Sequence, residues 1–184
     1  MIWGGNKVEI VSAMKNDYNL ELDVKLAKKG DKEAFGRLIE YNKVSMYRVA
    51  LSIVKKKEDI EDAIQNSITK AYQEIIYLRK DEYFKTWLIR ILINECKAIL
   101  KSNSRIAHIE ELKCEIETVQ DFSNIEVTYA INSLEDELRI VTTLFYFEDI
   151  PQKAIARILD IPEGTVKSRL SRARSRLYDL LRLK

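Results

Sequence analysis

Ile161-Pro162-Glu163-Gly164-Thr165-Val166-Lys167-Ser168-Arg169-Leu170-Ser171-Arg172-Ala173-Arg174 is the stretch on which the reading of this chain turns. Val166, Leu170, Ala173 and Leu177 recur at intervals of four, three and four, which is one apolar line along a helix. Gly164, Ser168, Ser171 and Ser175 lie opposite that line. Lys167 and Arg174 flank the small residues on one side, Arg172 and Arg176 on the other. Such a face can sink into a nucleic-acid groove, with cations reaching phosphates and the N-terminal positions reaching base edges.

The residues just upstream strengthen this. Ile150 to Leu159 predict a short helix with a small residue, Ala156, at its centre. Asp160-Ile161 then makes a turn, and Pro162 suits the first position of the next helix, where a missing N–H costs nothing. Two helices so joined have the pattern of a helix-turn-helix.

Working back from there, the chain reads as helical throughout. Five Gly and two Pro in 184 residues leave few turn formers for a sheet, and 33% of residues are charged. A first helix is predicted over 20–29, stopped by Gly30, with Asp31 capping the next. Phe35, Leu38, Ile39, Met46, Val49, Ala50 and Ile53 mark the buried face of that second helix. Lys55 to Lys57 break the pattern, and a third helix follows with Ile60, Ala63, Ile64, Ser67, Ile68, Ala71, Tyr72 and Ile75 on one side. Its other side holds Asp62, Gln65, Asn66, Thr69 and Gln73. Further helices are predicted over about 83–103, 125–132, 135–147, 151–159 and 163–181. The fold class is therefore all-α.

The helix over 83–103 carries a second unusual face. Tyr83, Trp87, Arg90, Asn94, Lys97 and Lys101 fall within one narrow arc at 100° per residue. Leu88, Ile91, Leu92 and Ile99 occupy a different arc and can face a core. Cations neutralise phosphates, rings stack on unpaired bases, and an amide can bond a base edge. The plainer alternative is a tryptophan at the edge of the core beside solvated cations.

Charge is distributed unevenly. Ile106 to Glu137 holds one Lys and nine Asp/Glu, whereas Ile150 to Lys184 holds nine Lys/Arg and three Asp/Glu. An acidic middle and a basic tail suit different partners. The acidic stretch has weak periodicity over 106–124 and reads as a linker.

Several classes are disfavoured. No metal site is expected, since His108 is the sole histidine and Cys96 and Cys114 lie too far apart for a paired-cysteine motif. No cofactor is expected, since there is no glycine-rich phosphate loop, and no catalytic carboxylate or histidine cluster suggests an enzyme. No long apolar run predicts membrane insertion, and residues 1–14 lack the form of a signal peptide. A cytoplasmic protein with reduced thiols is the expectation.

With those residues in view, the chain resembles the sigma factors of bacterial RNA polymerase, in the extracytoplasmic-function class of the sigma-70 family. Asp59-Ile60-Glu61-Asp62-Ala63-Ile64-Gln65 resembles the acidic motif of region 2.2. Phe84-Lys85-Thr86-Trp87-Leu88 with Ile91 and Asn94 resembles the helix of regions 2.3 and 2.4. The stretch from Ile161 to Arg174 is similar to the recognition helix of region 4.2.

The resemblance implies an N-terminal extension over 1–19, a region 2 domain over 20–104, a linker over 105–124 and a region 4 domain over 125–184. It implies that region 2 docks on the clamp coiled coil of the polymerase β′ subunit through Asp59, Asp62, Gln65, Asn66 and Thr69. It implies opening of the promoter −10 element by Tyr83, Trp87, Arg90, Asn94, Lys97 and Lys101. Region 4 would dock on the β flap and read the −35 element through Gly164, Thr165, Lys167, Ser168, Ser171, Arg172, Arg174 and Arg176. An anti-sigma factor is a further implied partner. Two departures stand out: Asn66 replaces a frequent acidic residue, and Ser171 is smaller than its counterpart in some members. A regulator that binds duplex DNA by itself would explain residues 150–176 but not the Trp87 stripe. A helical interaction module would leave the basic face unexplained.

Overall fold

The computed structural model of the protein describes residues 19–106 and 125–182, all of whose regular elements are helical. All of the predicted N-terminal extension but Asn19, and all of the predicted linker but Arg105 and Ile106, lie outside the described residues.

The N-terminal unit is built from α1 (Leu20–Lys28), α2 (Lys32–Leu51), α3 (Lys57–Glu74) and α4 (Phe84–Ile106). Asn19 caps α1 by accepting from the Leu22 amide at 3.0 Å. Gly30 has φ +93, the left-handed geometry that ends α1 and that a side chain would strain. Asp31 then caps α2, accepting from the amides of Glu33 at 2.9 Å and Ala34 at 3.0 Å. These are the stop and start signals expected from the sequence. Two short 3-10 turns, Ile75–Tyr77 and Asp81–Tyr83, join α3 to α4. Tyr83 thus sits in the turn that leads into α4, one residue before the helix begins.

The C-terminal unit contains α5 (Ile125–Asn132), α6 (Asp136–Thr142), α7 (Gln152–Leu159) and α8 (Glu163–Arg182). The helix expected over 135–147 continues as helix, but Thr143–Phe147 widens into a π turn. The Glu148 amide closes this turn on the Thr143 carbonyl at 3.2 Å. Asp149 follows with φ 54. A π turn and a left-handed non-glycine residue in succession redirect the chain sharply, and such features are found often at functional sites.

The two units touch. The π turn meets α2, and α7 meets α4. Buried residues of both form one continuous apolar cluster, which includes Leu38, Met46, Ile89 and Ile93 from the first unit and Leu144, Ile150 and Ile155 from the second. A smaller cluster of Leu134, Leu138 and Ala173 ties α6 to α8.

Candidate nucleic-acid interface

The helix-turn-helix is formed by α7 and α8. Asp160 adopts φ 58, ψ 49 at the end of α7, and the Ile161 amide returns to the Ala156 carbonyl at 3.0 Å. The helix begins at Glu163, so Pro162 stands one position earlier than expected. Its carbonyl accepts from the amides of Thr165 at 2.9 Å and Val166 at 3.2 Å. Proline can serve there because only its carbonyl is required.

Val166, Leu170 and Ala173 are buried and Leu177 is half-buried, so the inward line of α8 is the expected one. Gly164, Lys167, Ser168, Ser171, Arg172, Arg174, Ser175 and Arg176 are exposed, and Thr165 is half-buried. A Cβ at Gly164 would meet nothing within 4 Å, so this position is open on the protein's own side. Ser168 Oγ donates to the Thr165 carbonyl at 3.0 Å, which leaves its lone pairs outward. Lys167 pairs with Glu163 at 3.0 Å on the exposed surface, a contact that costs little to exchange for a phosphate.

The basic residues of α8 divide by role. Arg169 is turned inward and pairs with Glu137 at 2.6 Å, bracing α6 against α8. Arg174 reaches the Tyr146 hydroxyl at 3.4 Å, close to the π turn. Arg172 and Arg176 remain on the exposed side.

On α4, Arg90, Asn94, Lys97 and Lys101 are exposed as expected, and Tyr83 is exposed beside them. Lys80 lies over the Tyr83 ring at 5.5 Å. Trp87 is half-buried, packs on the main core, and lies 5.9 Å from the Phe84 ring. It therefore combines both readings of the sequence: one side anchors to the core while the rest faces the stripe. The buried arc of α4 is wider than expected. Besides Leu88, Ile91 and Leu92 it includes Phe84, Ile89, Ile93 and Cys96.

On α3, Asp62, Gln65, Asn66 and Thr69 are all exposed. Asp59 differs. It is half-buried, and its carboxylate accepts from Asn103 Nδ2 at 3.0 Å, linking α3 to the end of α4. The three surfaces thus stand on three different helices.

No group of three or more His, Cys, Asp or Glu arranged to hold a metal occurs among the described residues. Burial pushes the Cys96 thiol up to about 12, which keeps it protonated and unsuited to metal or nucleophilic work. None of the described helices is long and apolar enough to cross a membrane.

Sequence reasoning missed one group of residues. Glu148 is buried, and its carboxylate takes Ser45 Oγ at 2.5 Å, Arg48 at 2.7 Å and Lys85 at 3.0 Å, all from the other unit. Arg139 is also buried, and its Nε donates to the Ser52 carbonyl at 3.0 Å across the same boundary. The available signal was a carboxylate set between Phe145-Tyr146-Phe147 and Ile150, where an apolar run would otherwise continue.

Two family descriptions match the chain: "Sigma-70 region 2" over residues 38–106 and "Sigma-70, region 4" over residues 125–177. The ECF RNA polymerase sigma-E factor of Haemophilus influenzae is 33% identical over 171 residues, covering 82% of this chain and 89% of the relative. That of Escherichia coli strain K12 is 31% identical over 172 residues, covering 82% and 88%. The solved sigma factor RpoE of Bartonella quintana, in complex with the anti-sigma factor NepR, matches with a TM-score of 0.70 at 26% identity. It covers 82% of this chain and 98% of its own. The fold is also that of CnrH in complex with the cytosolic domain of CnrY, with a TM-score of 0.63 at 22% identity over 90% of this chain and 98% of that one. The chain belongs to the sigma-70 family of RNA polymerase sigma factors, in the extracytoplasmic-function class. The region 2 match includes the candidate faces on α3 and α4, and the region 4 match includes the exposed face of α8.

Proposed function

We propose that this sigma factor selects promoters with two separate surfaces. The α8 face of Gly164, Thr165, Lys167, Ser168, Ser171, Arg172, Arg174 and Arg176 reads the −35 element as a duplex. The stripe of Tyr83, Trp87, Arg90, Asn94, Lys97 and Lys101 engages the −10 element, with Trp87 and Tyr83 suited to bases that have left the stack. The observation that carries this reading is the outward placement of both polar, cationic faces, each backed by a packed apolar line.

Asp62, Gln65, Asn66 and Thr69 form the docking face for the β′ clamp coiled coil, with Asp59 bracing its edge. Region 4 meets the β flap. Domain boundaries of 20–104 and 125–184, an acidic linker over 105–124 and an extension over 1–19 complete the organisation. The chain acts by binding rather than by catalysis, in the cytoplasm. An anti-sigma factor restrains it, a reading supported by the similarity to RpoE of Bartonella quintana, which was solved in complex with the anti-sigma factor NepR. A stress or cell-envelope signal is the trigger that fits such restraint.

Run-off transcription with purified core polymerase and the chain's own upstream promoter tests the reading. A discrete start that depends on both the chain and its −35 and −10 sequences is expected. A chain that protects duplex DNA from nuclease without polymerase, and starts no transcript with it, would overturn it.

A further inference from the structure

The junction between the two units is built on charge as well as on apolar packing. A carboxylate removed from water is stable only when its lone pairs are met by good donors. Glu148, fully buried, meets that condition among the described residues by reaching into the other unit. Ser45 and Arg48 of α2 and Lys85 of α4 surround its two oxygens. Lys85 also donates to the Glu148 backbone carbonyl at 3.1 Å, and Arg48 lies over the Phe147 ring at 5.7 Å. The π turn and the left-handed Asp149 hold Glu148 at this point. Beside it, Lys85, Ile89 and Ile93 recur every four residues along α4, so the cation that binds Glu148 shares a line with two fully buried isoleucines. α7 is the element of the C-terminal unit that packs on α4.

This closed arrangement conflicts with the proposed function by simple length. The −35 and −10 elements are about 25 base pairs apart, and at about 3.4 Å per base pair that is about 85 Å. A compact body of 184 residues has a radius of gyration of about 16 Å. Two domains packed on one another cannot sit on both elements together.

We propose that Glu148 is an intramolecular latch. It holds the free sigma factor closed through Ser45, Arg48 and Lys85, and the latch must release before both promoter elements can be engaged. The promoter-binding half of this inference rests on the function proposed above; the latch itself does not. Breaking the latch returns Glu148 to water, where it is well solvated, but also uncovers apolar residues such as Ile89, Ile93 and Ile155, so the open form is favoured by a partner that covers them. A latched chain binds polymerase more weakly by the fraction of molecules that are open.

The test uses the full chain, with spin labels at Lys32→Cys and Asp179→Cys in a Cys114→Ser background. Cys96 is buried and stays unlabelled. The parent should give one short distance population by pulsed electron resonance. Glu148→Gln should add a longer, broad population. Lys85→Met should do the same to a smaller extent; Lys85 is partly exposed, so its loss leaves the core filled and guards against simple misfolding. Circular dichroism should show unchanged helix content in both. Affinity for core polymerase should rise about tenfold if the open fraction rises by that factor. An unchanged distance distribution in both folded variants would overturn the latch, whether or not the chain directs transcription. Opened variants with unchanged polymerase affinity would overturn its competition with docking.

Discussion

α8 and α4 both present cations to solvent, yet they are built differently. α8 buries one line, Val166, Leu170 and Ala173, with Thr165, Arg169 and Leu177 half-buried, and leaves the opposite side exposed. α4 has neighbours on two sides, α3 and α2 within its own unit and α7 from the other. Its buried residues therefore spread from Ile91 and Leu88 around to Ile93, and the outward stripe is what remains. Trp87 sits where the two meet. The exposed cationic face of α8 is thus separate from its packing, whereas that of α4 shares Trp87 with the core.

Substitutions can break or sharpen that contrast. The largest effect is expected from Leu170→Ala, which empties a buried site on the inward line of α8. It should cost about 2–5 kcal/mol of stability, measured by thermal or denaturant unfolding. A near-neutral result would mean that α8 does not depend on its narrow core line. Next comes Trp87→Ala. It should lose promoter opening by about 1–3 kcal/mol of stacking, seen as weaker permanganate reactivity at the −10 element. Because Trp87 also packs on the core, melting should fall too. On α8, by contrast, function should separate cleanly from stability.

Arg172→Ala should flatten preference at one position of the −35 element, a loss of about 1–3 kcal/mol for the favoured base, with an unchanged melting temperature. Arg176→Ala should weaken all promoter sequences alike and lower the salt slope by about one. A promoter-library selection with both variants reads the difference, and a parental preference in Arg172→Ala would move the helix in the groove. Asp62→Arg, on the exposed face of α3, should reduce affinity for core polymerase while leaving unfolding unchanged. The smallest effect concerns Cys96. Burial raises its thiol to about 12, so the fold's preference for the neutral form is fully present below the ordinary value near 9 and is lost as pH rises through 12. In a Cys114→Ser chain, alkylation should be slow at pH 8 until denaturant is added.

Much of this was legible beforehand. The helix bounds, the Gly30 stop, the Asp31 cap and the inward line of α8 all rest on local chemistry: spacing, one capping carboxylate, one residue free to take positive φ. The outward faces of α3 and α8 followed, because each helix meets its neighbours along one apolar side and leaves the opposite side exposed. Asp59 was less legible. Its place in the acidic motif says nothing of Asn103, which reaches it from 44 residues further along.

What the sequence by itself determined is the all-α class, the order of the helices, the helix-turn-helix and the polar faces it presents. Each depends on interactions within a few residues, which periodicity and composition record directly. Only the tertiary structure decided that Ile89 and Ile93 are covered, that Arg169 braces α6 rather than facing outward, and that Glu148 is buried against Ser45, Arg48 and Lys85. Those outcomes join residues about a hundred positions apart in the case of Ser45 and Arg48 with Glu148. A buried charge is tolerated only where distant donors converge on it, and that convergence exists only once the two units have met.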